Sequence, residues 1–260
     1  MLSLQRLNVH IETSHILRDV TLEVGARELV CLVGRNGAGK TTTLRAVMGY
    51  VKPTSGTISF KGESLVGLRT HAIAARGLGY SPEEAGIFAD LTVAENIEIA
   101  TWTRASSRPD AERVESAYAA FPKLRGYARR GGAQISGGER KMLSIARALA
   151  LDPEMLLLDE PFEGLSPAII PALSESIAAI AARGQAIIIA ESNIHHVPEY
   201  AARLYVIERG EIVFAGKPHD AWKDPGVVRI VGYGGPTPQD PQTPFGHGGP
   251  HPRILEEPRD

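Results

Sequence analysis

The chain has 260 residues, with 28 Lys and Arg against 30 Asp and Glu for a formal net charge of −2, and one cysteine, Cys31. This length is enough for one large domain with a sizeable core or for two small domains. A single cysteine excludes an internal disulfide and any zinc site built on two or more cysteines. The near-neutral charge gives no support for a general nucleic-acid-binding surface, so we expect no nucleic-acid partner.

Membrane insertion and secretion are also disfavoured by the sequence. No segment offers the roughly 18 consecutive apolar residues of a membrane-spanning helix, and the longest apolar runs, such as residues 186–190, are strand-sized. The first residues lack the charged, apolar and small-residue regions of a signal peptide. Cys31 lies in an apolar run, so we expect a thiol buried in a core and a chain in reducing, cytoplasmic surroundings.

The sequence predicts mainly strands in the first 60 residues. Alternating apolar residues between positions 2 and 24 predict half-buried strands. The unbroken apolar run at 29–33 predicts a strand that is covered on both faces. A glycine-rich segment follows this run, then a helical pattern at 42–49 and a strand near 57–60.

A helical region interrupts the strands and then gives way to them again. Spacing near 3.6 residues predicts helices near 92–104, 110–121 and 138–151. The later elements are strands at 155–158, 186–190 and 204–207, a helix near 168–182 and a hairpin turn at 209–211 that leads into 212–214. The result is an α/β core with a helical insert and with antiparallel strands at its start.

The segment Gly34-x-x-x-x-Gly39-Lys40-Thr41 has the spacing of a phosphate-binding loop between a strand and a helix. Glycines let the backbone amides approach a di- or triphosphate, and the helix N-terminus adds free amides and a positive dipole end. Lys40 offers a cation to the β and γ oxygens, and Thr41 offers a hydroxyl to Mg2+. The predicted nucleotide contacts here are Gly34, Arg35, Asn36, Gly37, Ala38, Gly39, Lys40, Thr41 and Thr42.

Two carboxylates, Asp159 and Glu160, follow the apolar run at 155–158. Asp159 is predicted to hold Mg2+ through water, and Glu160 is predicted to polarise the attacking water. Phosphoryl transfer depends mainly on such positioning and charge neutralisation. The pair therefore predicts phosphoryl-transfer chemistry beside the phosphate loop.

A second anion site is predicted where Ser136-Gly137-Gly138-Glu139 opens a helix, because a serine and two glycines expose backbone amides there. These motifs, in this order, resemble those of the nucleotide-binding subunits of ABC transporters. Ser136, Gly137, Gly138 and Glu139 then match the family's signature motif, and residues 164–167 match its D-loop.

The resemblance spans about residues 2–233. It implies a P-loop NTPase of the ABC type: a RecA-like core with an N-terminal antiparallel β subdomain and a helical subdomain at about 84–150. It also implies ATP and Mg2+ as cofactors, ATP hydrolysis coupled to transport, and head-to-tail pairing. In that pairing, ATP on one phosphate loop is capped by the partner's signature. Residues 234–260, with seven prolines and five glycines, are then an appended flexible tail.

Within the family, the chain is most similar to the second ATPase of branched-chain amino acid importers. The matching segments are residues 79–83, 87–96 and 191–193. Urea and short-chain amide importers share the pattern, as do lipopolysaccharide-export ATPases more distantly. The resemblance implies two transmembrane permease subunits, a second ATPase chain in a hetero- or homodimer and, indirectly, a periplasmic solute-binding protein. It places the chain at the cytoplasmic face of the inner membrane.

Three positions depart from the general family pattern. Ile11 stands where an aromatic residue usually stacks on adenine, and Glu83 replaces the Q-loop glutamine while keeping an oxygen ligand for Mg2+. Ser192 aligns with the switch histidine, and its shorter side chain is expected to reach the γ-phosphate only through water. His195 and His196 lie about one turn further on and are alternative switch residues or surface histidines. Lys40, Glu160 and Ser192 are the predicted catalytic residues.

The predicted docking groove for the permeases lies near residues 83–100. Phe88, Leu91 and Val93 are candidates for its exposed apolar contacts, or for the core of the helical subdomain. Two other functions stay open. A soluble ABC ATPase of DNA repair or ribosomes is disfavoured by the single cassette and the lack of heptads, and a degenerate regulatory module is suggested by Ile11 and Ser192.

Overall fold

Two β-sheets organise residues 1–231, the part of the chain that the computed structural model describes. The strands are β1 (Leu2–Ile11), β2 (Ser14–Val24), β3 (Leu29–Val33), β4 (Ser55–Phe60), β5 (Glu63–Ser64), β6 (Leu78–Ser81), β7 (Met155–Asp159), β8 (Ala186–Glu191), β9 (Arg203–Glu208) and β10 (Glu211–Gly216). An antiparallel sheet has the order β2-β1-β4-β5, and a six-stranded sheet has the order β10-β9-β3-β8-β7-β6. The predicted tail at 234–260 lies outside the described residues.

Nine α-helices complete this described part of the chain. They are α1 (Lys40–Val47), α2 (Thr70–Ala75), α3 (Val93–Thr101), α4 (Asp110–Ala120), α5 (Pro122–Arg125), α6 (Gly137–Ala150), α7 (Ile170–Ala182), α8 (Pro218–Ala221) and α9 (Pro225–Val231). Short 3-10 turns occupy Gly132–Gln134 and Ile194–His196. None of the helices between residues 1 and 231 is long and apolar enough to cross a membrane.

The six-stranded sheet brings the candidate motifs to one edge. Strands β3, β6, β7, β8 and β9 run parallel, and β10 pairs antiparallel with β9. Val33 pairs with Glu191, and Asp159 pairs with Ala190, so the segments that follow β3, β7 and β8 leave the sheet side by side. Open α/β sheets bind ligands at this carboxyl edge.

Both faces of the sheet are covered, which explains the unbroken apolar run in β3. On one face, Cys31 and Val33 lie in a core shared with the helices around α6 and α7. On the other face, Val30 and Leu32 lie in a second core formed with the antiparallel sheet and α1. Burial raises the pKa of the Cys31 thiol far above its usual value, as expected for an inert core cysteine.

Helices α3, α4 and α6 pack against one another, and α6 also contacts β6 and β7. Capping boxes fix the first turns of α3 and α6: Thr92 and Glu95 bond reciprocally, and so do Ser136 and Glu139. The fold confirms the predicted α/β class with an antiparallel β subdomain and a helical insert. The short elements β5, β6, α2, α5, α8 and α9 were not predicted, because two to seven residues carry little periodicity.

Candidate functional site

The phosphate loop at residues 34–39 connects β3 to α1, as its spacing predicts. Gly34 has no room for a side chain, because a Cβ atom there would collide with the Ile207 carbonyl of β9. Gly39 has a φ of 115° and would place a Cβ atom 2.7 Å from Leu17. These two glycines are therefore required by the packing of the loop against neighbouring strands, in addition to any contact with phosphate.

Lys40 begins α1 and turns its side chain into the loop. Its Nζ donates to the Gly34 carbonyl at 2.8 Å and to the Arg35 carbonyl at 3.2 Å, and it lies 3.0 Å from Oε1 of Glu160. Both charged side chains are only 4% exposed. The structure thus joins the predicted phosphate-binding cation and the predicted general base in one buried ion pair.

Ser192 completes this cluster through direct hydrogen bonds to both charged groups. Its Oγ lies 2.6 Å from Oε1 of Glu160 and 3.0 Å from Nζ of Lys40, and its backbone N–H donates to Oε2 of Glu160 at 3.0 Å. The hydroxyl also contacts the side-chain oxygen of Asn36 in the phosphate loop. The short side chain of Ser192 therefore reaches the lysine that is predicted to hold the γ-phosphate.

Oxygen ligands suited to Mg2+ lie beside the phosphate loop. The Thr41 hydroxyl donates to Oδ1 of Asp159 at 3.0 Å, and the Tyr80 hydroxyl donates to Oδ2 at 2.9 Å. The pKa of Asp159 is raised above its usual value, mainly by burial and then by the charges of Glu160 and Glu83. The hydrogen bonds from Tyr80 and Thr41 act in the opposite direction but do not offset this. A divalent cation would favour the ionised carboxylate, and Mg2+ bound with phosphates needs only one or two such protein ligands. The donor set therefore fits Mg2+.

Glu83 follows β6 at the same edge of the sheet and is exposed. Its backbone carbonyl accepts a hydrogen bond from Nζ of the buried Lys141 on α6. Its carboxyl group bonds to that of Glu163, whose pKa is raised by partial burial and by the charges of Glu160 and Glu83. In residues 1–231 no direct bond joins Glu83 to Thr41 or Asp159, so its part in holding Mg2+ stays a prediction.

The signature residues lie at the start of α6. Ser136 Oγ accepts the Glu139 N–H at 3.3 Å, and Glu139 Oε2 accepts the Ser136 N–H at 2.8 Å. Burial acts to raise the pKa of Glu139, but these bonds to Ser136 lower it below its usual value. Ser136 and Gly137 are exposed, and a Cβ atom at Gly137 would meet open space. This anion site is therefore accessible to a second molecule.

Gly138 and Glu139 also make structural contacts at the start of α6. A Cβ atom at Gly138 would lie 2.7 Å from Ile169, so the glycine allows α6 to pack against the segment before α7. The Glu139 carboxylate is held by the capping box and lies 3.5 Å from Nζ of Lys123. Both residues orient Ser136 and the backbone amides, and their predicted contact with nucleotide stays a prediction.

The remaining predicted positions lie at the margins of the site. Ile11 ends β1 and is 45% exposed, as a residue that packs on a base would be. His10 stacks on His15 with ring centroids 4.1 Å apart. His195 packs against Trp222, with ring centroids 5.1 Å apart. His196 bonds to the buried Glu191, so neither of the later histidines has the position of Ser192 beside Lys40 and Glu160.

Of the two alternatives for Val93, docking contact or core of the helical subdomain, the structure shows the core. Val93 begins α3 with its side chain fully buried, because the helix packs against α6 through this face. Phe88 is 49% exposed, with the Arg147 guanidinium 5.2 Å from its ring centroid, and Leu91 is half-buried. Phe88 is therefore the exposed apolar residue that remains for the predicted groove.

Comparison with known proteins decides the family. The ABC transporter family model matches residues 17–163, which is more than half of the chain. The lipopolysaccharide export ATP-binding protein LptB of Haemophilus influenzae is 36% identical over 232 residues, covering 88% of this chain and 96% of its own. The chain belongs to the ABC transporter family. BraG, the high-affinity branched-chain amino acid transport ATP-binding protein of Pseudomonas aeruginosa, is 37% identical over 215 residues, covering 82% and 91%.

The fold agrees with solved members of the ABC family. The dimeric, post-hydrolysis structure of an ATP-binding cassette bound to ADP and phosphate superposes with a TM-score of 0.75 at 21% identity, covering 84% of this chain and 99% of that one. By its family, the chain is an ABC transporter ATPase subunit that binds adenine nucleotide and hydrolyses ATP to power transport. Its homologues dimerise and work with transmembrane permease subunits. A degenerate regulatory module is not supported.

The sequence did not indicate the roles of Tyr80 and Glu191 in this ABC ATPase, nor the contact that the structure gives Arg35, a predicted nucleotide contact. Tyr80 lies within the matched segment at 79–83, yet only the structure shows its bond to Asp159. Glu191 precedes Ser192 at the end of β8, and only the structure shows that its carboxylate is buried and bonded. Arg35 turns away from the loop and donates to the Ile230 carbonyl of α9 at 3.1 Å, a contact over 195 positions that no local pattern predicts.

Proposed function

We propose that this ABC ATPase powers import of branched-chain amino acids or of related small solutes such as urea and short-chain amides. The supporting sequence features are Glu83 at the Q-loop position and the segment Glu191-Ser192-Asn193, which resemble that subfamily. BraG, a branched-chain amino acid transport ATP-binding protein, supports the same class. Lipopolysaccharide export is the second candidate. LptB has nearly the same sequence identity to this chain as BraG, and its match covers a larger share of the chain.

The proposed hydrolysis chemistry rests on one observation, the 3.0 Å pair between Nζ of Lys40 and Oε1 of Glu160. A γ-phosphate bound to Lys40 lies beside the carboxylate that accepts a proton from the attacking water. The amides at the start of α1 and its dipole stabilise the phosphate oxygens. Ser192 is bonded to both charged groups and fixes their relative position.

Mg2+ would supply charge neutralisation on the phosphate oxygens, and Thr41, Asp159 (through water) and Glu83 would hold it. Tyr80 keeps one oxygen of Asp159 hydrogen-bonded, which orients the other oxygen toward Thr41. The chain's own residues thus position the carboxylates on both sides of the phosphate loop.

The other half of the proposed site comes from a second cassette. Ser136 and Gly137 are exposed at the start of a 14-residue helix, and this chain's own phosphate loop already has a helix N-terminus of its own. We infer that they cap ATP held by the phosphate loop of the other subunit. The second subunit is either another copy or a different ATPase chain.

The proposed location follows from these partners. Two permease subunits would contact the groove near Phe88, and a periplasmic solute-binding protein would act through those permeases. The chain would then lie at the cytoplasmic face of the inner membrane.

The test is solute-dependent ATP hydrolysis by the chain assembled with its permeases in proteoliposomes. Branched-chain amino acids, added with their binding protein, are expected to stimulate ATP turnover and to accumulate inside the proteoliposomes. Urea and acetamide are tested in the same way as alternative substrates. If lipopolysaccharide stimulated ATP turnover and no small solute did, the import proposal would be wrong and export would be favoured.

A change at Ile11 tests the proposed adenine contact. Ile11→Tyr adds a π face at a position that is already 45% exposed, so we expect ATP affinity to rise by about two- to tenfold. Equilibrium binding of a fluorescent ATP analogue measures this, with Val213→Tyr as the control at an exposed residue on β10. Equal affinities for the Ile11→Tyr and unmodified chains would remove Ile11 from the binding site.

A further inference from the structure

The buried carboxylate of Glu191 has no role in the hydrolysis scheme above. Glu191 lies at the end of β8 and is 2% exposed. Burial raises the pKa of its carboxyl group above the usual value, although a hydrogen bond with His196 acts to lower it. Burying a carboxylate is costly unless its oxygens are bonded. Both oxygens are bonded here: Oε1 accepts the Phe162 N–H at 3.2 Å, and Oε2 lies 3.2 Å from Nδ1 of His196.

These bonds pair with a second set that runs in the opposite direction. The Glu160 carboxylate accepts the backbone N–H of Ser192, which follows Glu191. The Glu191 carboxylate accepts the backbone N–H of Phe162, two residues after Glu160. Each glutamate thus holds the backbone of the segment that carries the other, and we call these four residues the glutamate clasp.

The clasp is also connected to the phosphate loop. The Glu191 carbonyl accepts the Gly34 N–H at 3.2 Å, and the Ala190 carbonyl accepts the Glu160 N–H at 2.9 Å. The His196 ring packs against Phe162 with centroids 5.0 Å apart. Glu191 therefore lies where the ends of three parallel strands meet. Its backbone carbonyl holds the phosphate loop, and its carboxylate holds the segment that follows Glu160.

We propose that Glu191, supported by His196, is a positioning residue for ATP hydrolysis: its bond to the Phe162 amide holds Glu160 in line with the γ-phosphate site. This role requires no contact between the Glu191 carboxylate and the nucleotide. Its loss moves Glu160 and Ser192 while the phosphate loop still binds ATP. A displacement of about 1 Å at such a site lowers the rate by up to about 100-fold.

The test compares Glu191→Leu with Glu191→Gln in the full chain, by steady-state ATP hydrolysis and by equilibrium binding of ATP. Glu191→Leu removes both acceptors, and we expect kcat to fall at least about tenfold with KM and the ATP dissociation constant within about twofold. Glu191→Gln keeps a carbonyl for the Phe162 N–H, so it is expected to retain at least about half of kcat.

A matched control separates positioning from general destabilisation. Tyr205→Phe removes a buried hydroxyl that accepts the Glu23 N–H at 3.0 Å, away from the clasp on β9. Its kcat, corrected for the folded fraction, is expected to be unchanged. Equal kcat for Glu191→Leu and Tyr205→Phe, or a raised KM with unchanged kcat, would overturn the proposal, as would a Glu191→Gln chain as slow as Glu191→Leu.

If Glu191→Leu fails to fold, His196 provides the second pair of variants. His196→Leu removes one partner of the carboxylate and is expected to lower kcat at least about threefold, whereas His196→Gln keeps a donor and restores it. Equal rates for both would overturn the proposal.

The clasp rests on the proposed role of Glu160, and the two can fail separately. A Glu160→Gln chain that still hydrolyses ATP at the parent rate removes the role of Glu160. If Glu160→Gln is inactive while Glu191→Leu hydrolyses at the parent rate, only the clasp is wrong.

Discussion

Replacing Glu160 with glutamine is expected to lower ATP turnover at least about 100-fold while leaving ATP binding intact. The amide keeps the size of the carboxylate and an oxygen that can accept the Ser192 N–H, now 3.0 Å away. It cannot take a proton from the attacking water. Turnover of the assembled transporter and the amount of ATP retained after gel filtration measure the two properties. Retained ATP in a closed dimer is the expected state of the variant.

Glu175→Gln is the control for this experiment, because it makes the same charge change at an exposed position of α7. Its turnover is expected to equal that of the parent chain. Parental turnover in Glu160→Gln would show that another group accepts the proton.

Replacing Lys40 with methionine is expected to have two effects that the buried pair with Glu160 explains. Loss of the charge-assisted bonds to phosphate raises the ATP dissociation constant at least about tenfold. The same change leaves the Glu160 carboxylate, 4% exposed, without its cation. The free energy of unfolding without nucleotide is therefore expected to fall by about 3 kcal/mol.

The double variant Lys40→Met/Glu160→Gln separates these effects. Neutralising Glu160 removes the unpaired buried charge, so at least about half of the lost unfolding free energy should return, while ATP affinity stays low. Urea unfolding measures stability, and fluorescent-nucleotide titration measures affinity. A double variant that is less stable than Lys40→Met would show that the unpaired Glu160 carboxylate is not the cause of the lost stability.

The phosphate loop, the two carboxylates and the signature could be predicted because each is defined by local spacing. Gly34, Gly39, Lys40 and Thr41 lie within eight positions, and the strand and helix that confirm them are adjacent. The contacts that make these motifs one site are not local. Lys40 meets Glu160 across 120 positions, through a parallel sheet whose strand order the sequence does not state.

The same reason explains what the sequence did not predict. Glu191 ends an apolar strand, and nothing in its neighbours indicates that its carboxylate turns inward to Phe162 and His196. Val93 was a docking candidate because the sequence does not distinguish an apolar residue that faces a partner from one that faces the core. Which face of α3 is covered depends on where α6 packs, and that is a tertiary property.

The composite site is the central claim, and sedimentation of the Glu160→Gln chain, alone and with any second cassette of its transporter, tests it most directly. The parent Glu160→Gln chain is compared with the same chain carrying Gly137→Asp. This change fits in open space and places a negative charge where the partner's ATP would be capped. Gly126→Asp is the control at another exposed glycine. We expect association that requires ATP, is weakened by Gly137→Asp and is unaffected by Gly126→Asp. Association that is the same without ATP, or that Gly137→Asp leaves unchanged, would contradict the account.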